Sequence, residues 1–350
     1  MAKKKKEEKT EAAGTISRTG FLKVLEKVKP GLASKDIIQQ ATDVILNEGE
    51  VSTYNDFVLV SCLFNTGIVG AVKAKELFQM LQRMQGEDVS LEAVQEGLML
   101  RCGKARACIM MDPEITLPLP DLAAMDDAEG WTQIPDGLMD AVKFCLFSAS
   151  RDLSRGVLTC IHVDMDMVES CDNFRATRRD VEGSTMEELL IPVRAAEDLV
   201  KYAVTEVLVE EAWLYFRNAD GLIFACRRMD GDWPDISGPF EIEGASLTLP
   251  DGFKEVVERA GVLAQAEFDA DRRVEVRVVK KVMQIRSGGP AGRFEEDIAL
   301  DKYKGPDLRF IVHPGDFADV LGLSLDMVVG EQWLKFSGEG FQHVVCLMEV

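Results

Sequence analysis

Several stretches of the chain alternate between apolar and polar residues, as a β-strand with one buried face does. Residues 273–279 alternate strictly, and residues 283–286 repeat the pattern after a short connection. Residues 212–217 and 221–226 are short apolar segments, and the Asn-Ala-Asp-Gly sequence at 218–221 is typical of the turn between them. The pattern predicts antiparallel hairpins.

Two short phrases each occur three times, one that predicts the start of a helix and one that predicts a helical run after it. The first places a glycine and a large apolar residue ahead of a helical run, at 20–24, 134–143 and 249–258. The second places an acidic residue before a large apolar one, at 76–78, 198–200 and 316–318. The copies within each series lie about 115 to 120 residues apart, the length of one small domain. This spacing predicts three copies of one domain.

Each copy combines strands with two helices, so the predicted fold class is α+β. We place a disordered tail at residues 1–14 and domains at 15–125, 126–240 and 241–350. No apolar run is long enough to span a bilayer, and the Lys/Glu-rich start of the chain does not resemble a secretory leader. We therefore expect a cytoplasmic protein without a membrane partner.

The eight cysteines are scattered through apolar runs and lack the C-x-x-C spacing of zinc ligands. We interpret them as buried free thiols and expect neither a metal nor a cofactor. His162, Asp164 and Asp166 alternate and would share one strand face that can ligate a divalent ion, although a solvated strand edge or turn is the alternative. The Gly-rich residues 287–292 lack the strand-then-helix context of a nucleotide site and predict a mobile loop.

One pattern favours an enzyme. Residues 145–151, from Cys145 to Arg151, are similar to the C-x5-R loop of tyrosine phosphatases, and Trp-Pro-Asp at 233–235 is similar to their general-acid loop. Such a loop wraps its N–H groups around phosphate and relies on glycine, which this segment lacks. The order of the two loops is also reversed, so a phosphatase stays only as an alternative.

The formal net charge of −20 argues against a protein that binds nucleic acid by broad phosphate contact. Basic residues nevertheless recur on or beside the candidate helices, namely Lys23, Lys143, Arg194, Lys201 and Lys254. If these helices share one wall, an acidic protein carries a basic stripe. Ordinary solvated helix faces are the simpler interpretation.

Five stretches carry a resemblance to a known family. They are Phe-Leu-Lys-Val-Leu at 21–25, Arg-Cys-Gly-Lys-Ala-Arg at 101–106, Ile-Pro-Val-Arg at 191–194, Met-Asp-Gly-Asp-Trp-Pro-Asp at 229–235 and His-Val-Val-Cys-Leu-Met-Glu-Val at 343–350. In this order and spacing they make the chain resemble the bacterial-type DNA polymerase sliding clamp, the β subunit of DNA polymerase III. The resemblance runs from about Thr15 to Val350 and is that of a divergent member, of host or phage origin.

The resemblance implies a non-catalytic homodimer that closes head-to-tail into a ring, with helices lining a central pore and antiparallel sheets outside. Double-stranded DNA would occupy the pore without sequence preference. Lys35, Arg151 and Arg155 match family positions that touch the duplex. A ring that is topologically linked to DNA needs only weak phosphate contacts, so an acidic exterior is compatible with this function.

The closing interface follows from charge and from the resemblance. Lys104 and Arg106 lie on the predicted edge strand of the first domain, and opposite charges at the two ends of a protomer favour head-to-tail pairing. The acidic side is Glu295, Glu296 and Asp297, which in the family meets the basic edge together with a nearby helix, here at Val262 and Leu263. Ala107 replaces a family aromatic residue, which implies a smaller apolar contact.

The family binds short linear peptides of polymerases and other DNA enzymes in an apolar pocket between the second and third domains. The matching positions here are Val157, Cys171, Asn173, Phe174, Ala176, Pro234, Pro239, Val344, Cys346, Leu347 and Met348. Phe174 stands where histidine is usual, and Cys346-Leu347 stands where Met-Pro is common. We thus expect a processivity clamp with a polymerase and a clamp loader as partners. The alternative is a clamp-like peptide-binding protein that no longer encircles DNA.

Overall fold

The computed structural model describes residues 14–35, 37–120, 125, 128–184, 186–300 and 302–349. The predicted tail lies outside the described residues except at Gly14, which opens the first strand. The helices of the described residues are α1 (Arg18–Val28), α2 (Ala74–Arg83), α3 (Leu138–Cys145), α4 (Val193–Leu199), α5 (Phe253–Leu263) and α6 (Pro314–Leu321). Short 3-10 turns lie at Lys29–Gly31, Leu146–Ser148, Leu153–Thr159, Gly238–Phe240 and Asp269–Asp271.

The strands are antiparallel throughout. In chain order they are β1 (Gly14–Ser17), β2 (Asp43–Asn47), β3 (Glu50–Tyr54), β4 (Val58–Leu63), β5 (Gly70–Lys73), β6 (Asp88–Val94), β7 (Gly97–Cys102), β8 (Ala105–Ile109), β9 (Met111–Asp112), β10 (Thr132–Gln133), β11 (Cys160–Met165), β12 (Met167–Cys171), β13 (Arg175–Asp180), β14 (Met186–Pro192), β15 (Glu206–Val209), β16 (Trp213–Arg217), β17 (Leu222–Arg227), β18 (Ala245–Thr248), β19 (Val274–Val279), β20 (Val282–Gly289), β21 (Gly292–Ala299), β22 (Leu308–Val312), β23 (Asp326–Val329), β24 (Trp333–Gly338) and β25 (Phe341–Cys346). Residues 274–279 of the strictly alternating stretch form β19, as their pattern predicts.

The chain divides into two compact units, and the first comprises Met1–Ile134 with Lys201–Arg228. It contains a four-stranded sheet in the order β1-β6-β7-β8 and a nine-stranded sheet in the order β10-β15-β16-β17-β4-β3-β2-β5-β9. Helix α1 begins after Ser17, whose side chain accepts a hydrogen bond from the N–H of Gly20 at 3.2 Å. Its residues Phe21, Leu25 and Val28 recur at helical spacing and are fully buried, so they attach the helix to the core of this unit.

The second unit comprises Pro135–Val200 with Met229–Val350. It contains an eight-stranded sheet in the order β14-β11-β12-β13-β25-β24-β23-β18 and a four-stranded sheet in the order β21-β20-β19-β22. Helices α5 and α6 pack against each other through Phe253 and Phe317, whose rings meet edge to face at 5.8 Å. Phe310 contacts Phe317 in the same manner, and all three aromatic residues are buried in the hydrophobic core of this unit.

The helices of the described residues occur in three successive pairs, α1 with α2, α3 with α4, and α5 with α6, and the pairs recur at about 115 to 120 residues. The Pro-Asp-Gly phrase has a local reason in two copies: Gly137 and Gly252 precede α3 and α5 with φ of 82° and 77°, which favour glycine. In the first copy, Gly20 lies inside α1 instead. The predicted boundaries of three domains stay a prediction.

Two local predictions are wrong. No helical run follows residues 198–200, because helix α4 ends at Leu199. The helix begins at Val193, as predicted for the Ile-Pro-Val-Arg stretch at 191–194, after a proline that suits a helix start. Residues 287–292 form the end of the β20–β21 hairpin, with a turn at 290–291, rather than a mobile loop, because the two strands pair as far as Gly289 with Gly292. No helix of the described residues is long and apolar enough to cross a membrane.

Candidate functional site

A groove of about 710 Å³ lies in the second unit. Its apolar lining comprises four predicted pocket residues, Phe174, Cys346, Leu347 and Met348. Phe174 lies in the turn between β12 and β13, and its carbonyl accepts a hydrogen bond from the N–H of Cys346 at 2.7 Å. The side chain of Phe174 is 51% exposed, so it presents a free aromatic surface at the groove.

An arginine holds the Phe174 turn in place. Arg175 contacts Asp172 at 3.1 Å, Asp316 at 3.3 Å and Asp319 at 2.6 Å, and thereby joins β13 to helix α6. The carboxylate of Asp172 also accepts hydrogen bonds from the N–H groups of Phe174 and Arg175, at 2.8 and 2.9 Å. Burial raises the pKa of Asp172, although these N–H groups and Arg175 oppose the shift. The network preorganises the aromatic wall of the groove.

His313 forms another part of the lining. It precedes α6, and its Nδ1 accepts a hydrogen bond from the N–H of Asp316 at 3.3 Å. The neighbouring carboxylate of Asp316 raises the pKa of His313, against burial, since it stabilises the protonated ring. Burial would raise the pKa of Asp316, but the hydrogen bond with His313 and the charge of Arg175 hold it below its usual value.

The other predicted pocket residues lie around a second apolar cluster in the same unit. Cys171, Ala176 and Val344 are buried there with Phe240, and Val344 has no exposed surface. Pro234 is exposed and Pro239 half-buried in the segment before β18. Val157 is half-buried, and Asn173 is exposed and lies beside the guanidinium of Arg155.

Two aromatic residues that were not predicted as pocket residues, Trp233 and Phe240, belong to or pack against this cluster. Trp233 stacks on His162 with ring centres 4.8 Å apart and donates a hydrogen bond from Nε1 to Glu169 at 3.2 Å. Phe240 lies under the guanidinium of Arg178 at 4.3 Å. The groove residues Asp269, Asp271 and Arg273 were also missed, because only the fold brings them to the C-terminal segment.

Four of the eight predicted DNA-contacting residues lie on α-helices. Lys23 on α1, Lys143 on α3 and Arg194 on α4 are exposed, as are Lys35 and Lys201 in connecting segments. Lys254 on α5 is half-buried, and its ammonium lies beside Gly322 at the C-terminal end of α6, where a cation is favourable.

Two arginines predicted to contact DNA have partners within their own unit. Arg151 contacts Glu197 of α4 at 2.6 Å, and both side chains are about half exposed. Arg155 lies 3.7 Å from Asp152, three residues earlier in the chain. Pairs of this exposure contribute little to stability, so either arginine can exchange its carboxylate for a phosphate at small cost.

The predicted interface residues lie on two edge strands. Strand β8 is the edge of the four-stranded sheet in the first unit, where Arg106 is exposed and Ala107 half-buried, and Lys104 lies in the turn before it. Strand β21 is the edge of the four-stranded sheet in the second unit and carries Glu295, Glu296 and Asp297. Close to β21, Val262 of α5 is 67% exposed and Leu263 is half-buried near Gly292.

Two of the three acidic residues on β21 already have cationic partners. Glu295 accepts from Arg286 of β20 at 2.6 Å. Glu296 accepts from Arg259 of α5 at 2.8 Å. The charge that this strand offers to another molecule is therefore smaller than the sequence indicates.

Comparison with solved structures identifies the architecture. The chain is similar to the DNA polymerase III β chain of Streptococcus pneumoniae, with a TM-score of 0.83 and 17% identity over 96% of this chain and 99% of that one. It is similar to the sliding clamp of Bacillus subtilis, with a TM-score of 0.81 and 17% identity over 96% and 98% of the two chains. This chain has the fold of a bacterial sliding clamp.

A third clamp of the same fold, from Bartonella birtlesii and solved bound to griselimycin, has a TM-score of 0.83 and 16% identity over 97% of this chain and 99% of its own. No protein-family profile matches the sequence, and no curated protein matches it. Clamp architecture is thus retained where sequence similarity is very low.

Within the clamp fold, the phosphatase alternative lacks an accessible nucleophile. Cys145 is the last residue of α3 and is fully buried, and burial raises the pKa of its thiol far above the usual range. The thiol donates to the carbonyl of Val168 at 3.5 Å. Six of the eight cysteines are buried, whereas Cys108 is exposed on β8 and Cys346 is half-buried at the groove.

The alternating His162, Asp164 and Asp166 lie at the end of one strand and the turn that follows it. The strand is β11 and the turn leads into β12, with His162 buried under Trp233 and Asp164 exposed. Among the described residues, no three His, Cys, Asp or Glu side chains are arranged to hold a metal ion.

Proposed function

We propose that this protein is a DNA sliding clamp, a non-catalytic processivity factor that closes as a head-to-tail homodimer around double-stranded DNA. The observation that carries the proposal is the match to sliding clamps over nearly the full length of both chains, at a TM-score of 0.83. The clamp fold provides two free sheet edges of complementary composition, β8 with Arg106 and β21 with its carboxylates. A closed head-to-tail ring of identical copies needs two different surfaces, so that one edge of each copy can meet the other edge of the next.

Exposed cations on the helices support contact with DNA. Lys23, Lys143 and Arg194 project from three different helices, although the whole chain has a net charge of −20. Sequence-independent binding needs only Lys or Arg near phosphates, and a closed ring keeps a weakly bound duplex from diffusing away. The acidic remainder of the surface then limits binding to DNA outside the ring.

The groove beside Phe174 supports partner recognition. An exposed aromatic ring, Leu347 and Met348 offer a concave apolar surface next to the end of β25. A short linear motif with a leucine or aromatic anchor fits such a surface. We propose that the polymerase and other DNA enzymes dock here, that a clamp loader opens the ring, and that the protein acts in the cytoplasm at the nucleoid, or in a host's cytoplasm if a phage encodes it.

The test is negative-stain electron microscopy of the full chain, together with sedimentation velocity. Closed six-lobed rings with a hole wide enough for a duplex, and a dimer in solution, are the expected results. Compact or crescent-shaped single protomers at micromolar concentration would refute ring closure by the protein alone. A charge-reversal variant, Arg106→Glu, serves as the control and should shift the dimer towards monomer.

A second candidate function is a clamp-like protein that binds peptides and no longer encircles DNA. It is favoured by the internal ion pairs of Glu295 and Glu296 and by the small Ala107 on the opposite edge, since all three reduce what the interface can offer. Such a protein stays monomeric at high concentration and still binds peptide. The sedimentation experiment therefore separates the two candidates.

A further inference from the structure

The rim of the Phe174 groove is strongly acidic. Asp269, Asp271, Asp316 and Glu349 line the groove, whereas Arg273 is the only Lys or Arg residue among its lining residues in the described part of the chain. Asp172 and Asp319 lie just behind it and share Arg175 with Asp316. The apolar floor is thus surrounded by an excess of negative charge, which repels DNA phosphates from this site.

The carboxylates differ in how far they are neutralised. Asp269 has a partner in Arg272 at 3.1 Å, and Asp316 has one in Arg175 at 3.3 Å. For Asp271 and Glu349 the described residues show no side-chain ion pair or hydrogen bond, and both residues are exposed. These two carboxylates are therefore the ones available to a cationic group on a bound molecule.

We propose that the groove selects peptides in which a leucine or aromatic anchor is flanked by Lys or Arg, and discriminates against acidic flanks. The inference rests on the proposed function, since it names the class of partner for the same groove. The anchor would bury against Phe174, Leu347 and Met348, and a flanking cation would reach Asp271 or Glu349. Attraction at the rim sets specificity and association rate, while burial of the anchor supplies most of the affinity.

The experiment compares labelled short peptides that share a central Leu-Phe pair and differ only in flanks of Lys or of Glu, by fluorescence anisotropy at low and high salt. We expect the Lys peptide to bind about 5-fold tighter or better at low salt, and the preference to fall below about 2-fold in high salt, because exposed charges are screened. Replacing Leu-Phe by Ala-Ala in the Lys peptide should abolish binding.

Variants locate the charge effect. The pair Asp271→Asn with Glu349→Gln should remove most of the preference for the Lys peptide. A matched control is Asp164→Asn with Glu187→Gln, two exposed carboxylates of the same unit outside the groove, which changes the net charge equally and should leave the preference intact.

The outcomes separate this inference from the proposed function. Equal affinity for the Lys and Glu peptides, or equal effects of the two variant pairs, would overturn the charge preference while peptide docking stands. Undiminished binding of the Ala-Ala peptide would also overturn it, because non-specific attraction would then explain the result. Failure of every peptide to bind would remove docking at this groove and the inference with it.

Discussion

The acid sensitivity of the clamp fold here is expected to depend on His343. This histidine lies on β25, three residues before Cys346 at the groove, and is fully buried. Its Nδ1 lies 2.7 Å from the hydroxyl of Thr177, which in turn contacts the hydroxyl of Ser148. Burial, helped by the charge of Arg175, lowers the pKa of His343 from 6.5 to about 3.

The sign of the effect follows from proton binding. In the unfolded chain, His343 takes up a proton as the pH falls through its ordinary value of 6.5, whereas in the folded protein it stays neutral down to about 3. The unfolded state therefore binds more protons in this window, and the free energy of unfolding decreases as the pH falls. At pH 4.5 the loss is about 3 kcal/mol, since each pKa unit corresponds to about 1.4 kcal/mol.

The assay is urea unfolding of His343→Asn and of the unsubstituted protein at pH 7 and pH 4.5. Asparagine retains a polar group towards Thr177 but does not titrate. We expect the variant to be less stable at pH 7, because it leaves a small cavity, yet to lose about 3 kcal/mol less on acidification.

A second histidine gives a control of opposite sign. The pKa of His313 is raised, so its contribution to stability is present below 6.5 and is lost as the pH rises through its folded pKa. His313→Asn keeps a helix-capping side chain and should increase the acid sensitivity. Equal acid sensitivity of His343→Asn and the unsubstituted protein would refute the assignment of the effect to His343.

Three further predictions concern the groove and the DNA. Phe174→Ala should weaken binding of a Leu-Phe peptide by about 10-fold or more, because its exposed ring loses the apolar area that the anchor would bury; unchanged anisotropy titrations would contradict this. Arg175→Ala should lower the free energy of unfolding by about 3 kcal/mol in urea titrations, since it leaves three carboxylates without their cation; a loss below about 0.5 kcal/mol would contradict it. The pair Lys143→Gln with Arg194→Gln should reduce the slope of log affinity for DNA against log salt by about two, as filter binding would show, and an unchanged slope would place both side chains away from the phosphates.

Local patterns in the sequence predicted much of the secondary structure. Strict alternation at 273–279 marks β19 because one face of that strand packs in the core and the other is solvated. The same reasoning failed at 198–200, where an acidic residue beside a leucine occurs in the last turn of α4 rather than the first. An acidic residue beside a leucine can occur at either end of a helix and therefore does not show where the helix begins. Pro192 before Val193 does show it, because proline is accepted at a helix start and not in the helix interior.

The apolar part of the groove could be named from the family resemblance, but its charges could not. Phe174 and Cys346 are adjacent only because β13 pairs with β25, a contact between distant parts of the chain. Asp271 and His313 reach the groove through further elements that carry no common sequence signal. The charge at a binding site is set by residues that only the fold brings together. The Arg175 network and the acidic rim could therefore be identified only from the folded structure.

The charge of the edge strands also depends on tertiary neighbours that the sequence does not show. This dependence changes the explanation of the proposed ring closure. On sequence alone, Glu295 and Glu296 face the cations Lys104 and Arg106 of another copy, and closure is a matter of opposite charge. In the fold, both carboxylates are held by Arg286 and Arg259, and partners exchanged at an exposed surface contribute little net free energy. Strands β8 and β21 are also sheet edges, and an edge strand offers a row of main-chain N–H and C=O groups that pairing between copies would use. The ring closure proposed above is therefore better attributed to strand pairing, with charge restricting which edges meet.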